Sequence, residues 1–176
     1  MKKLKLATVW LDGCAGCHMS VLDLDGALIP IVRKVDIVYG PLVDAQEFPE
    51  NVDVTLVEGA VSTPEDVERL RQIRARSKML VALGDCAVTG NVPTLRNVIP
   101  VNKLLDRVYV EGADFNGCIP DEVLPRLSKL SRPAQDFVKV DVFLPGCPTQ
   151  NSVIAEFLNH WQEGRKLEAN QKIKFG

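Results

Sequence analysis

The stretch LKLATVWLDGCAGCHMS, residues 4–20, runs from an apolar segment into a glycine-bearing turn with two cysteines, and then into residues that suit a helix. A buried strand that ends in such a turn and opens a helix is the repeating unit of α/β sheets. Four more runs of the same character follow: VDIVYG (35–40), VDVTLVEG (52–59), KMLVALGD (78–85) and VKVDVFLPG (138–146). Most are nearly continuous in apolar residues rather than alternating, as parallel strands covered on both faces must be.

Helical segments separate these runs. In STPEDVERLRQIRARS, Thr63 can cap, Pro64 suits the first helical position, and Glu65 and Asp66 complement the helix dipole. Val67, Leu70 and Ile73 then form one apolar stripe, and the remaining charges read as a solvated face. A second stripe, Ile154, Phe157, Leu158 and Trp161, follows GCPTQNSV. A helix over about 19–28 and a short one within 121–130 complete the expected set, while 88–117, rich in Gly, Pro and Asn, follows no period. The alternation predicts a three-layer, doubly wound, mainly parallel α/β domain of flavodoxin-like order over 1–163, with a polar tail over 164–176.

A chain of 176 residues suits one domain with a real core. A net charge of -2 and no dense Lys/Arg run exclude nucleic acid as a partner, and a hydrophobic share of 46% without a long apolar run predicts no membrane insertion. The start, MKKLKLATVWLDGC, mimics a secretory leader, but Lys5 interrupts the apolar part and Asp12 stands where a cleavage site needs small residues. The expected compartment is the cytoplasm. There, five cysteines point to metal or redox chemistry rather than to disulfides.

Cys14 and Cys17 follow the first strand, Cys86 follows VALGD, and Cys147 follows DVFLPG. Parallel strands present their carboxyl ends at one edge, so four sulfurs distant in sequence can meet there. The 2, 68 and 60 residues between successive cysteines are unlike the spacings of zinc ribbons. Four thiolates suit tetrahedral zinc or an iron-sulfur cubane; the neighbouring Gly13, Gly16, Gly84 and Gly146 leave room for a bulky core and favour the cubane. A dithiol switch at Cys14 and Cys17 leaves the other two unexplained. Cys118, in FNGCIP, echoes the GCP of Cys147, and the residues alone do not eliminate it as a ligand.

GCAGCHMSVLD, LVEGAV, ALGDCAVTG and FLPGCP resemble, in that order, the motifs of the small subunit of nickel-iron hydrogenases over residues 7 to about 160. The resemblance implies that Cys14, Cys17, Cys86 and Cys147 hold the 4Fe-4S cluster nearest the active site; Cys118 then reads as a free buried thiol, a common state for cysteine. The short chain most resembles the cytoplasmic NAD(P)-linked bidirectional type. That implies a nickel-iron centre in a separate large subunit, with further iron-sulfur clusters, FMN and NAD(P) in diaphorase subunits. Thr149 stands where some relatives have a second proline. The related quinone-reducing complex I subunit carries adjacent cysteines in its first motif, whereas Ala15 and Gly16 separate them here.

Glu58, at the end of the third strand, is expected on the same edge, as an acid near the cluster or as a loop carboxylate. His18 is expected at a helix start facing solvent or a partner, and His160 in a structural role. Asp12 and Asp85 are expected to satisfy loop amides, and Trp10 and Trp161 to pack.

Overall fold

The computed structural model describes residues 3–165. Five parallel strands, β1 (Leu4–Trp10), β2 (Val35–Tyr39), β3 (Val52–Glu58), β4 (Ser77–Leu83) and β5 (Val142–Leu144), form one sheet in the order β2-β1-β3-β4-β5. This is the flavodoxin-like order that the alternation of runs predicts. β3 is central and almost wholly buried, which explains its unbroken apolar character.

Two cores sandwich the sheet. On one face Leu6, Leu56, Val81 and Leu83 pack against Leu24, Ile31, Ile154, Phe157 and Leu158. These come from the segment after β1, which includes α1 (Gly16–Leu22) and α2 (Leu28–Lys34), and from the C-terminal helix Asn151–Gln162. On the other face Ala7, Val9, Val57 and Leu80 meet Leu70 and Ile73 of α3 (Pro64–Arg76), with Ala134 and Phe48. Full burial of one such Leu or Ile side chain stabilises by about 1.5–3 kcal/mol, so these stripes fix which face each helix presents.

The start of α3 is as expected: Thr63 Oγ1 accepts the Asp66 amide at 3.1 Å, and Asp66 Oδ2 accepts the Thr63 amide at 3.0 Å. Its charges do more than face solvent. Arg69 donates to the Tyr39 hydroxyl at 2.9 Å, Arg76 pairs with Glu50, and Arg74 pairs with Asp141.

Elsewhere the elements differ from the reading of the sequence. The helix expected over 19–28 begins earlier, at Gly16, and ends at Leu22. Asp25 takes a left-handed φ of 49° ahead of Gly26, and helix resumes as α2, where Pro30 sits in the first turn and forfeits no intrahelical bond. β5 is shorter than 138–146 because Asp141 turns its side chain onto the Leu80 amide (2.9 Å) just before the strand. No helix forms over 121–130, which Pro120 precedes and Pro125 interrupts, and where Val123 has φ 61°. The stretch between β4 and β5 holds short turns of helix, α4 (Asp85–Thr89), α5 (Asn91–Thr94) and α6 (Val101–Asp106); the C-terminal helix is α7. No side chain from 91 to 130 is buried. Of the expected tail, 166–176 lies outside the described residues, and no helix among those described is long and apolar enough to cross a membrane.

Asp141 yields a test of this framework. Partial burial opposes its charge, but the Leu80 amide and the Arg74 guanidinium outweigh that and hold the carboxyl below its usual range. A carboxylate with a depressed folded pKa stabilises above its unfolded value, about 3.9, and loses that contribution as pH falls through the folded value. Asp141→Asn is expected to lose about 1–2 kcal/mol at pH 7, with the gap from the parent chain closing below about pH 4. Denaturant titrations at both pH values read the difference.

Candidate functional site

Strand register brings the predicted residues together. Trp10 pairs with Glu58, Glu58 with Leu83, and Leu83 with Leu144, so four strands end in one row. Cys14 lies just beyond β1, Cys17 in the first turn of α1, Cys86 in the first turn of α4, and Cys147 just beyond β5. Backbone pairing continues past the strand ends. The Gly84 and Asp85 amides donate to the Leu144 and Gly146 carbonyls at 2.8 and 2.9 Å, and the Ala60 amide donates to the Asp12 carbonyl at 2.8 Å. The loops that carry the cysteines are therefore tied to one another before any metal is considered.

Glu58 is 2% exposed at the centre of this edge. Its Oε1 accepts the Cys17 amide at 3.3 Å and its Oε2 the His18 amide at 3.0 Å. The His18 ring Nδ1 also meets Oε2. Thus the His18 ring turns toward Glu58, with its side chain only 15% exposed, which corrects the solvent-facing half of an expectation that allowed solvent or a partner. The reason is local: a left-handed Ala15 (φ 64°) starts α1 so that its first amides point at the end of β3.

Burial pushes the Cys17 thiol up to about 11; the Glu58 charge adds to the rise, and the Thr149 amide and hydroxyl beside the sulfur oppose it. Burial likewise pushes Cys86 up to about 11, reinforced by charge at Cys147, Cys14 and Glu58. Cys14 and Cys147 are exposed, and Cys86 is half-buried. The four sulfurs thus share one electrostatic neighbourhood. Among the described residues no three His, Cys, Asp or Glu converge tightly enough to hold a single metal ion.

Close packing makes room for sulfur at one glycine in particular. Gly84 has φ 82°, and a Cβ there would lie 2.2 Å from Cys17 Sγ, so only glycine lets β4 deliver Cys86 beside Cys17. Thr149 is fully buried, its hydroxyl 2.8 Å from the Leu144 carbonyl. In the sequence Thr149 stands out as a departure from a second proline, but its place against Cys17 does not; its position two residues after Cys147 was the available signal.

The remaining expectations divide. Asp85 Oδ1 accepts the Gly146 amide at 2.7 Å, as a loop carboxylate should, whereas Asp12 takes the Ser62 hydroxyl. Cys118 is exposed in the coreless stretch rather than buried, because nothing in that stretch packs over it. Trp161 packs against the α7 core, and His160 sits half-buried beside it. Trp10 is 43% exposed and walls a cleft of about 290 Å³ with Met19, Leu22 and Ile37, so it does not pack in the core.

Residues 14–161 match the profile of the family described as NADH ubiquinone oxidoreductase, 20 Kd subunit. The chain belongs to that family. Its relatives within that family include subunits of hydrogenases. It is 37% identical over 172 residues to a subunit of the F420-non-reducing hydrogenase vhu of Methanocaldococcus jannaschii, covering 97% of this chain and 60% of that protein. It is 35% identical over 176 residues to NAD-reducing hydrogenase HoxS subunit delta of Cupriavidus necator, covering 97% of this chain and 84% of that one. A crystal structure of NAD+-reducing [NiFe]-hydrogenase in the H2-reduced state contains a chain that superposes with a TM-score of 0.94 at 36% identity, covering 98% of both.

The glycine that admits Cys17 gives a stability test. Gly84→Ala places a side chain at a φ reserved for glycine and against sulfur; thermal denaturation is expected to show a loss of about 1–3 kcal/mol.

Proposed function

We propose that this subunit holds one 4Fe-4S cluster on Cys14, Cys17, Cys86 and Cys147 and serves as the electron relay nearest the nickel-iron centre of a separate large subunit. The observation that carries the reading is the single row of strand ends, beyond which the four thiols lie close enough for charge at Cys14 and Cys147 to raise Cys86. The donor set fits: four soft sulfurs arrive from three loops, in the ligand order of the hydrogenase motifs. Bound there, such a cluster supplies one-electron transfer between hydrogen split at the partner and carriers that lead to NAD(P). The NAD-reducing relatives favour that acceptor, reached through iron-sulfur and flavin diaphorase subunits.

The chain's own residues prepare the site. Gly84 opens space for sulfur, Asp85 holds the Gly146 amide so that Cys147 arrives in register, and Thr149 sets a hydroxyl and an amide beside Cys17. Burial favours neutral thiols at Cys17 and Cys86, so loading at neutral pH requires both to lose protons to the medium as thiolate-iron bonds form.

A large partner is supported by the stretch from 91 to 130. It exposes Leu95, Val98, Phe115 and Val123 and has no core of its own. Apolar area of that kind on a subunit marks a surface covered in the assembly.

Co-production with the large and diaphorase subunits tests the proposal. The complex is expected to carry about four irons and four acid-labile sulfides in this subunit, and to reduce NAD+ with H2. Cys86→Ser is expected to abolish hydrogen-dependent NAD+ reduction and the cluster's reduced-state EPR signal together. Stoichiometric zinc without sulfide would overturn the reading; quinone reduction without hydrogen turnover would favour a complex I role, which the family shares but the separated cysteines oppose.

A further inference from the structure

We infer that His18 is a positioning residue: it pins the buried Glu58 carboxylate on the Cys17 and His18 amides, and so fixes one negative charge beside the Cys17 and Cys86 sulfurs. The inference rests on the cluster reading above and concerns residues that supply no ligand to it.

Glu58 is buried, ends the central strand and has one oxygen on each of two successive amides of α1. Those two donors, one on each oxygen, already fix the plane of the carboxylate. The His18 ring, reaching Oε2 from the residue whose amide binds the same oxygen, adds a third contact that holds and screens the charge on that side. The consequence is electrostatic. The Glu58 charge bears on both Cys17 and Cys86, so its distance and screening enter the energy of adding an electron to anything those sulfurs hold.

The other ring nitrogen, Nε2, is buried with no partner among the described residues. A buried imidazole with one unpaired nitrogen costs stability, and the ring contact that orients it is the one to Glu58 Oε2. A ring placed only for packing would be served by an apolar side chain. Ala15 between the two cysteines sets the turn that aims the His18 amide and ring together at Glu58.

The test is a cycle of variants in the full complex, read by the cluster's midpoint potential and EPR spectrum as well as by turnover. His18→Leu removes the ring contact and leaves the carboxylate charge less screened, so the potential is expected to fall. His18→Asn, which keeps a donor near the Nδ1 position, is expected to recover most of the shift. Glu58→Gln removes the charge and is expected to raise the potential. In that background His18→Leu is expected to have no further effect on it. In the full chain stripped of metal, His18→Leu is expected to speed hydrogen exchange at the Cys17 and His18 amides by at least about tenfold.

A parent complex with a normal cluster and a His18→Leu potential unchanged from it would overturn this inference alone. Equal His18→Leu shifts in the parent and in the Glu58→Gln variant would do the same. A parent chain that holds no cluster would remove the underlying reading, and this one with it.

Discussion

Parallel pairing is the constraint on which the rest of the molecule depends. Each strand must return to the same side of the sheet before pairing again, so β1, β3, β4 and β5 all finish at one edge. That requirement collects residues from opposite ends of the chain without any local motif. It also confines cysteine-bearing loops to the first few residues after each strand, where backbone pairing between neighbouring loops is still possible. The site is thus an extension of the sheet, with Glu58 reaching from the central strand to the first turn of α1.

Much of this was legible in the residues, and for a definite reason. Continuous apolar runs and the stripe of Leu70 and Ile73 report burial on two faces, and burial is what a one-dimensional pattern records best. The capping box at Thr63 and Asp66 is equally local, and it forms as read. The four cysteines could be grouped because their positions follow strands, not because their spacing speaks.

What escaped the reading was set by tertiary contact. His18 turns inward because Glu58, forty residues away, offers a carboxylate, and no property of CAGCHMS announces that partner. β5 shortens because Asp141 prefers the Leu80 amide and Arg74. The stretch from 91 to 130 defied assignment for a different reason: its apolar residues find no core to enter among the described residues, so their pattern reflects none. Local cues such as Pro120 and Pro125 outweighed the helical appearance of 121–130.

The wide separation of the cysteines in the chain has a temporal consequence. Cys14 and Cys17 leave the ribosome early, whereas Cys147 follows the last strand of the sheet. Among the described residues β5 has only β4 as its neighbour in the sheet, so the fourth sulfur is in place only when that edge strand has docked. Gathering of the four thiols is therefore a late event, timed by completion of the sheet, and a nascent chain paused before residue 142 would carry Cys14, Cys17, Cys86 and Cys118 but not Cys147, beside an unfinished edge.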